Sequence, residues 1–268
     1  HRQYEDLWIE WRSLLRDKYE RQRKEIGAQT ITPAAALTER GYINAGPSYS
    51  PDGSKIAYAV VHADEYPGVH VMNADGSEDL RIAENVFPTS ASGTTVTWGP
   101  GGKRLFYTKI DVARNVNYHS NLYSFDLETY QESRLTKGLR SRDPHLSPDG
   151  TKLLFVMNSL GRTRLATIDL NVQRKDPARE QDITALTPWS MGQYEAPRWS
   201  PDGKRIAVTV RQAGGFRDIW MLDAAGNKTA EVSHDRALEG AASWSSDGKY
   251  LCFSSDRSGV YNIYACDT

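Results

Sequence analysis

Trp199-Ser200-Pro201-Asp202-Gly203-Lys204-Arg205-Ile206-Ala207 is the stretch whose reading decides the fold. An aromatic residue precedes a four-residue turn, and an apolar run follows it. Pro presets φ near about −65° at the second turn position, and Asp accepts local backbone N–H groups. Gly takes the left-handed conformation of a type I turn with a bulge. The same signal recurs at Ser50-Pro51-Asp52-Gly53, Gly99-Pro100-Gly101-Gly102, Ser147-Pro148-Asp149-Gly150 and Ser245-Ser246-Asp247-Gly248. One residue before each turn stands Tyr49, Trp98, Leu146, Trp199 or Trp244. Three residues before stands Pro47, Val96, Pro144, Pro197 or Ala242. The second copy has lost its Asp and the fifth its Pro, so these turns serve architecture rather than chemistry.

Working outward, each turn is followed by a β-rich run: Ile56 to Val61, Leu105 to Ile110, Leu153 to Asn158, Ile206 to Arg211 and Leu251 to Ser255. A second run ends at Asp75, Asp126, Asp169, Asp223 or Asp267. Short strands are expected around Leu80 to Ala83, Ser133 to Thr136, Ala185 to Thr187 and Ala230 to Ser233. The strand before the turn completes a four-stranded unit. Such units, recurring at roughly 45 to 53 residues, indicate an all-β fold, a β-propeller of antiparallel blades. Trp98, Trp199 and Trp244 should fill equivalent gaps between blades.

The fifth repeat stops after its third strand. Ala36-Leu37-Thr38 resembles Arg134-Leu135-Thr136, so Ala34 to Thr38 reads as a fourth strand displaced to the front. It either closes a five-bladed ring or marks a chain cut from a larger propeller. The missing closing turn favours truncation. Ahead of the repeats, Tyr4, Leu7, Trp8, Trp11, Leu14, Leu15, Tyr19 and Ile26 follow helical spacing, with Gly27 as a stop. We divide the chain into residues 1–30, an amphipathic helix and linker or the tail of a preceding domain, and 31–268, the propeller.

Among the 268 residues, 33 Lys and Arg offset 34 Asp and Glu, and 39% are apolar. This charge balance gives no reason to expect a nucleic-acid partner. No apolar run approaches the roughly 18 residues of a membrane helix, so no membrane insertion is expected. Catalytic signatures, a Gly-x-Ser-x-Gly elbow, a His-Glu-x-x-His helix or a phosphate loop, are absent. No catalytic residue or fixed metal site is assigned. His62 and His70 flank one hairpin and give only a weak metal signal. Pairing set by a loop at Asp256 to Gly259 places Cys252 opposite Ile263 and Cys266 opposite Lys249, which leaves two free, largely buried thiols.

Alternating strands put the Ser-Pro-Asp-Gly turns on one face. The opposite face collects variable polar loops, including a long one expected from Asp111 to Ser120 with Asn115, Asn117, Tyr118 and His119. Residues just before the innermost strands should rim the central channel: Asn44, Arg142, Asp143, Tyr194, Glu195 and Glu239. Asp143, Glu195 and Glu239 could converge on a channel calcium ion. Tyr194 and Trp189 could also take a small molecule or glycan.

The repeats quoted above, with Phe253-Ser254-Ser255-Asp256-Arg257-Ser258-Gly259-Val260-Tyr261-Asn262-Ile263-Tyr264, resemble the TolB-type propeller repeat, a relative of the WD-type repeat, over about residues 34 to 268. The resemblance implies a periplasmic or otherwise extracytoplasmic, noncatalytic scaffold whose channel face receives a protein or peptide. A weaker likeness rests on the Trp-rich helix followed by Ile31-Thr32-Pro33. It is to chains in which a gluzincin-like peptidase domain precedes such a propeller. It implies the alternative, an accessory substrate-docking propeller whose catalytic domain lies outside these residues.

Overall fold

The computed structural model describes residues 4–28, 35–39, 41–86, 96–113 and 117–268. They fall into two compact units, His1–Leu37 and Thr38–Thr268. The first carries helix α1, Tyr4–Gly27, with Glu5 and Asp6 in its first turn and Lys24 in its last, the favourable placement on the helix dipole. No proline interrupts it. The Trp8 and Trp11 rings lie 5.0 Å apart on a stripe with Tyr4, Leu7 and Leu14, all exposed.

The second unit is an array of five antiparallel sheets. Blade 1 comprises β1 (Ile43–Tyr49), β2 (Lys55–Val61), β3 (Gly68–Asn73) and β4 (Leu80–Glu84). Blade 2 comprises β5 (Val96–Trp98), β6 (Arg104–Ala113), β7 (Asn117–Asp126) and β8 (Gln131–Arg134). Blade 3 comprises β9 (Ser141–Leu146), β10 (Lys152–Ser159), β11 (Arg162–Asp169) and β12 (Thr184–Ala185). Blade 4 comprises β13 (Gln193–Trp199), β14 (Arg205–Arg211), β15 (Arg217–Asp223) and β16 (Lys228–Glu231). Blade 5 is three-stranded among the described residues, β17 (Glu239–Trp244), β18 (Tyr250–Ser255) and β19 (Asn262–Asp267). Residues 35–39 form no strand; position 34 lies outside the described residues. The fourth strand expected at Ala34 to Thr38 is therefore not seen, and Thr38 Oγ1 instead accepts a hydrogen bond from Asn44 Nδ2 at 2.9 Å.

The turns form as their chemistry requires. In the fourth copy Ser200 Oγ donates to Asp202 at 2.6 Å and accepts the Arg205 N–H at 2.9 Å. Gly203 sits at φ 70°. Copies at Ser50, Ser147 and Ser245 repeat the pattern. The hydroxyl and backbone donors pull the Asp52 carboxyl down to about 2, and Asp149, Asp202 and Asp247 shift the same way. Where Asp is missing, Gly101 and Gly102 both take φ 69°.

Four residues before the turn, the inner strands share a second device. Gly46, Asp143, Ala196 and Ala241 all have left-handed backbone, at φ 58°, 53°, 46° and 53°. At each, two residues oppose one on the neighbouring strand, a β-bulge. Pro47, Pro144 and Pro197 occupy the second bulge position, where a missing N–H costs no ladder bond. In blade 2 the first of these positions, 95, lies outside the described residues, and the second is Val96, which pairs with Tyr107.

Neighbouring blades pack in chain order, from 1 against 2 through 4 against 5. The tryptophans fill the gaps as expected. Trp98 packs among Val71, Val96, Leu105 and Tyr123, and its Nε1–H donates to Ser48 O of blade 1 at 2.8 Å. Trp244 Nε1 makes the same bond to Arg198 O at 3.2 Å. Hydroxyls of Thr136, Thr187 and Ser233 accept the N–H of Leu122, Leu165 and Ile219 in their own blades.

Two expectations are corrected. The segment Asp111 to Ser120 is largely strand, because β6 and β7 pair to Ala113 and Asn117; Asn115 lies outside the described residues. The β18–β19 register places Leu251 opposite Cys266 and Cys252 opposite Ala265, since the hairpin loop runs from 256 to 261 rather than ending at Gly259. The thiols are free but only half-buried.

Trp98→Ala should lower stability by about 3–5 kcal/mol, the usual cost of emptying a buried tryptophan site. Trp98→Phe, which keeps the ring but loses the bond to Ser48, should cost about 1–3 kcal/mol. Urea unfolding followed by far-UV circular dichroism checks both.

Candidate functional site

The bulges decide what faces the centre of the array. The five inner strands converge on a cavity of about 700 Å³ that takes in Pro148, Pro201 and Ser246 of the turns. It therefore lies toward the Ser-Pro-Asp-Gly end. Two residues before each turn stands a lining residue: Ser48, Thr97, His145, Arg198 or Ser243. Each blade thus contributes one polar side chain from the same position.

Two of these side chains also join blades. His145 Nδ1 accepts the Trp199 N–H at 3.1 Å, which leaves the proton on Nε2. Thr97 Oγ1 faces the Leu146 N–H at 3.5 Å. Burial, and next the charge of Arg198, hold His145 well below its usual value of 6.5, so its ring is neutral at pH 7. Burial pushes the Arg198 guanidinium down to about 10, opposed by Asp143, and it remains charged. Among the described residues the lining contains no Asp or Glu, and Arg198 is its one fixed charge.

None of the six rim residues read from the sequence lines this cavity. Arg142 and Asp143 form a 2.6 Å ion pair, and Arg142 Nη2 also donates to Tyr194 O at 2.8 Å. The structure thus brings these three together. Buried Tyr194 packs edge-on against Trp220. Glu195 pairs with Arg211 at 3.3 Å and Arg217 at 3.8 Å. Glu239 accepts from Arg257 at 2.8 Å and from Ser255 at 3.0 Å. Asn44 is exposed beside Thr38.

Each of the three carboxylates proposed for calcium has its own arginine. Among the described residues no group of three His, Cys, Asp or Glu side chains could hold a metal ion. His70 Nδ1 lies 3.1 Å from Asp79, and its strand partner is Tyr58 rather than His62. The loops draw attention to the other end of the inner strands. The signal that identifies the lining is the column of Ser, Thr, His, Arg and Ser in the aligned repeats.

With the geometry in hand, the comparisons with known proteins are direct. The pattern defining the TolB beta propeller domain matches residues 32–192 and 185–268. The chain belongs to the TolB β-propeller family. This TolB-family chain is 25% identical over 245 residues to a protein TolB homolog of Chlorobium luteolum, covering 90% of this chain and 52% of that one. It is 24% identical over 214 residues to the uncharacterized peptidase YuxL of Bacillus subtilis, covering 64% of this chain and 31% of that one. The crystal structure of TolB from Acinetobacter baumannii superposes with a TM-score of 0.64 at 20% identity, covering 84% of this chain and 52% of that one. The chain thus spans about half the length of the TolB proteins it matches. Among the described residues no helix is long and apolar enough to cross a membrane.

Because the unfolded chain takes up a proton on His145 that the folded one refuses, stability should fall as pH drops below about 6.5. His145→Gln should flatten that fall between pH 7 and 5. Thermal melts across this range measure it; an unchanged slope would contradict the neutral, accepting His145.

Proposed function

We propose that this TolB-family propeller is a noncatalytic scaffold, working outside the cytoplasm, that binds a protein or peptide partner at its central cavity. The observation that carries the reading is the cavity itself. Five rigid inner strands present polar side chains around a space of a size that takes a few peptide residues. Trp199, Trp244 and the turn prolines supply apolar surface beside them. The extracytoplasmic placement follows the kinship with TolB proteins. The rim residues Asn44, Arg142, Asp143, Tyr194, Glu195 and Glu239 are a candidate second contact surface at the opposite ends of the inner strands. The ion pairs within that group hold the strands.

The peptidase relative favours a second reading, in which the propeller docks substrate for the catalytic domain of a multidomain peptidase. The same cavity would then receive the peptide.

Selection of displayed dodecapeptides on the immobilised chain tests the cavity. Enriched peptides should compete with one another. They should lose at least tenfold in affinity when Ser243→Trp fills the space, and keep their affinity when Glu128→Ala alters the exposed end of blade 2. Equal binding to the Ser243→Trp protein would contradict the assignment.

A further inference from the structure

We propose that the blade 4 side of the cavity is a carboxylate-binding site centred on Arg198; the proposal deepens the peptide-binding reading and rests on it. The argument begins with an unbalanced charge. Arg198 has five N–H donors, and the structure gives it one hydrogen bond, from Nη1 to Pro197 O at 3.0 Å. Among the described residues no carboxylate lies within ion-pairing distance of it. The contrast with its neighbours is direct, because Arg142, Arg211, Arg217 and Arg257 all have carboxylate partners. Asp143 exerts the nearest opposing charge on Arg198, but its Oδ2 is already engaged by Arg142 and by the Ala196 N–H.

Arg198 also differs from two of its four counterparts. At the same place in blades 2 and 3, Thr97 and His145 offer an acceptor to the next blade. A guanidinium has no acceptor to offer. A cation in place of a latch, in a partly desolvated cavity lined by no acid among the described residues, favours an anion beside it.

The surroundings select the kind of anion. His145 presents a neutral ring with its proton on Nε2, and Ser48 and Ser243 add hydroxyls around the same space. Arg198 supplies the planar fork that matches a carboxylate in two-point contact. Trp199 and Trp244 provide apolar walls for the rest of a peptide. An acidic side chain and a free chain terminus share this chemistry.

Three fluorescent pentapeptides distinguish the sources: acetyl-Ala-Trp-Glu-Phe-Ala-amide, the same with Gln for Glu, and the Gln peptide with a free C-terminal carboxylate. Fluorescence anisotropy should show at least one carboxylate peptide binding tenfold or more tightly than the neutral one, and the tighter arm names the source. Arg198→Gln should erase that preference. Should Arg198→Gln fail to fold by circular dichroism, Ser243→Asp, which supplies a fixed carboxylate beside Arg198, should erase it in the same way. Equal binding of all three peptides, or a preference that survives these changes, overturns the carboxylate site and leaves the peptide-binding reading standing. Binding of none of them overturns both.

Discussion

The constraint on which the structure depends is the bulge four residues before the turns of blades 1, 3, 4 and 5. An inner strand without it would pair evenly along its length, and its side chains would alternate without interruption. With two residues set against one, the chain re-aims the segment that follows. The polar residue two places before the turn joins the cavity lining, and the tryptophan after it enters the gap between blades. Gly46 meets the left-handed backbone at little cost, whereas Asp143, Ala196 and Ala241 carry roughly 1–2 kcal/mol each. The surrounding blade must supply that energy. It does so through fully buried apolar rows such as Leu153, Phe155, Ile206 and Val208.

In blades 3, 4 and 5 a division of labour follows along the inner strand. Its first residues carry the ion-paired groups, Arg142 with Asp143, Glu195 with its arginines, and Glu239 with Arg257. These pairs are internal to the protein and consume their charge. Its last residues line the cavity, where Arg198 alone keeps an unspent charge. The cavity therefore lies at the end where the chain is most regular, next to the repeated geometry of the turns. The five-bladed array agrees with membership of the TolB β-propeller family.

Much of this was legible in the residues. The turns, the helix to Gly27 and the strand order are local or periodic, and the repeats reinforce one another. Trp98 and Trp244 fell where the alignment put them. Register was harder, since a hairpin loop longer by two residues moved Cys266 opposite Leu251. Strand ends were also harder, because β6 and β7 extend by pairing with each other through a polar sequence. The ion pairs of the rim were only partly legible: Arg142 adjoins Asp143 in the chain, but Arg211 and Arg257 reach Glu195 and Glu239 from positions that spacing alone does not bring near. The left-handed residues escaped notice because Asp143, Ala196 and Ala241 are not glycine.

The most direct test of the account is a pair of glycine substitutions. Ala241 is exposed and left-handed in β17; Ala265 is exposed and lies in regular strand β19. If the bulge geometry is right, Ala241→Gly raises stability toward chemical denaturation by about 1 kcal/mol, relieving backbone strain. Ala265→Gly lowers it by up to about 1 kcal/mol, as glycine in an ordinary strand does. A loss of stability at Ala241 equal to that at Ala265 would contradict the central claim.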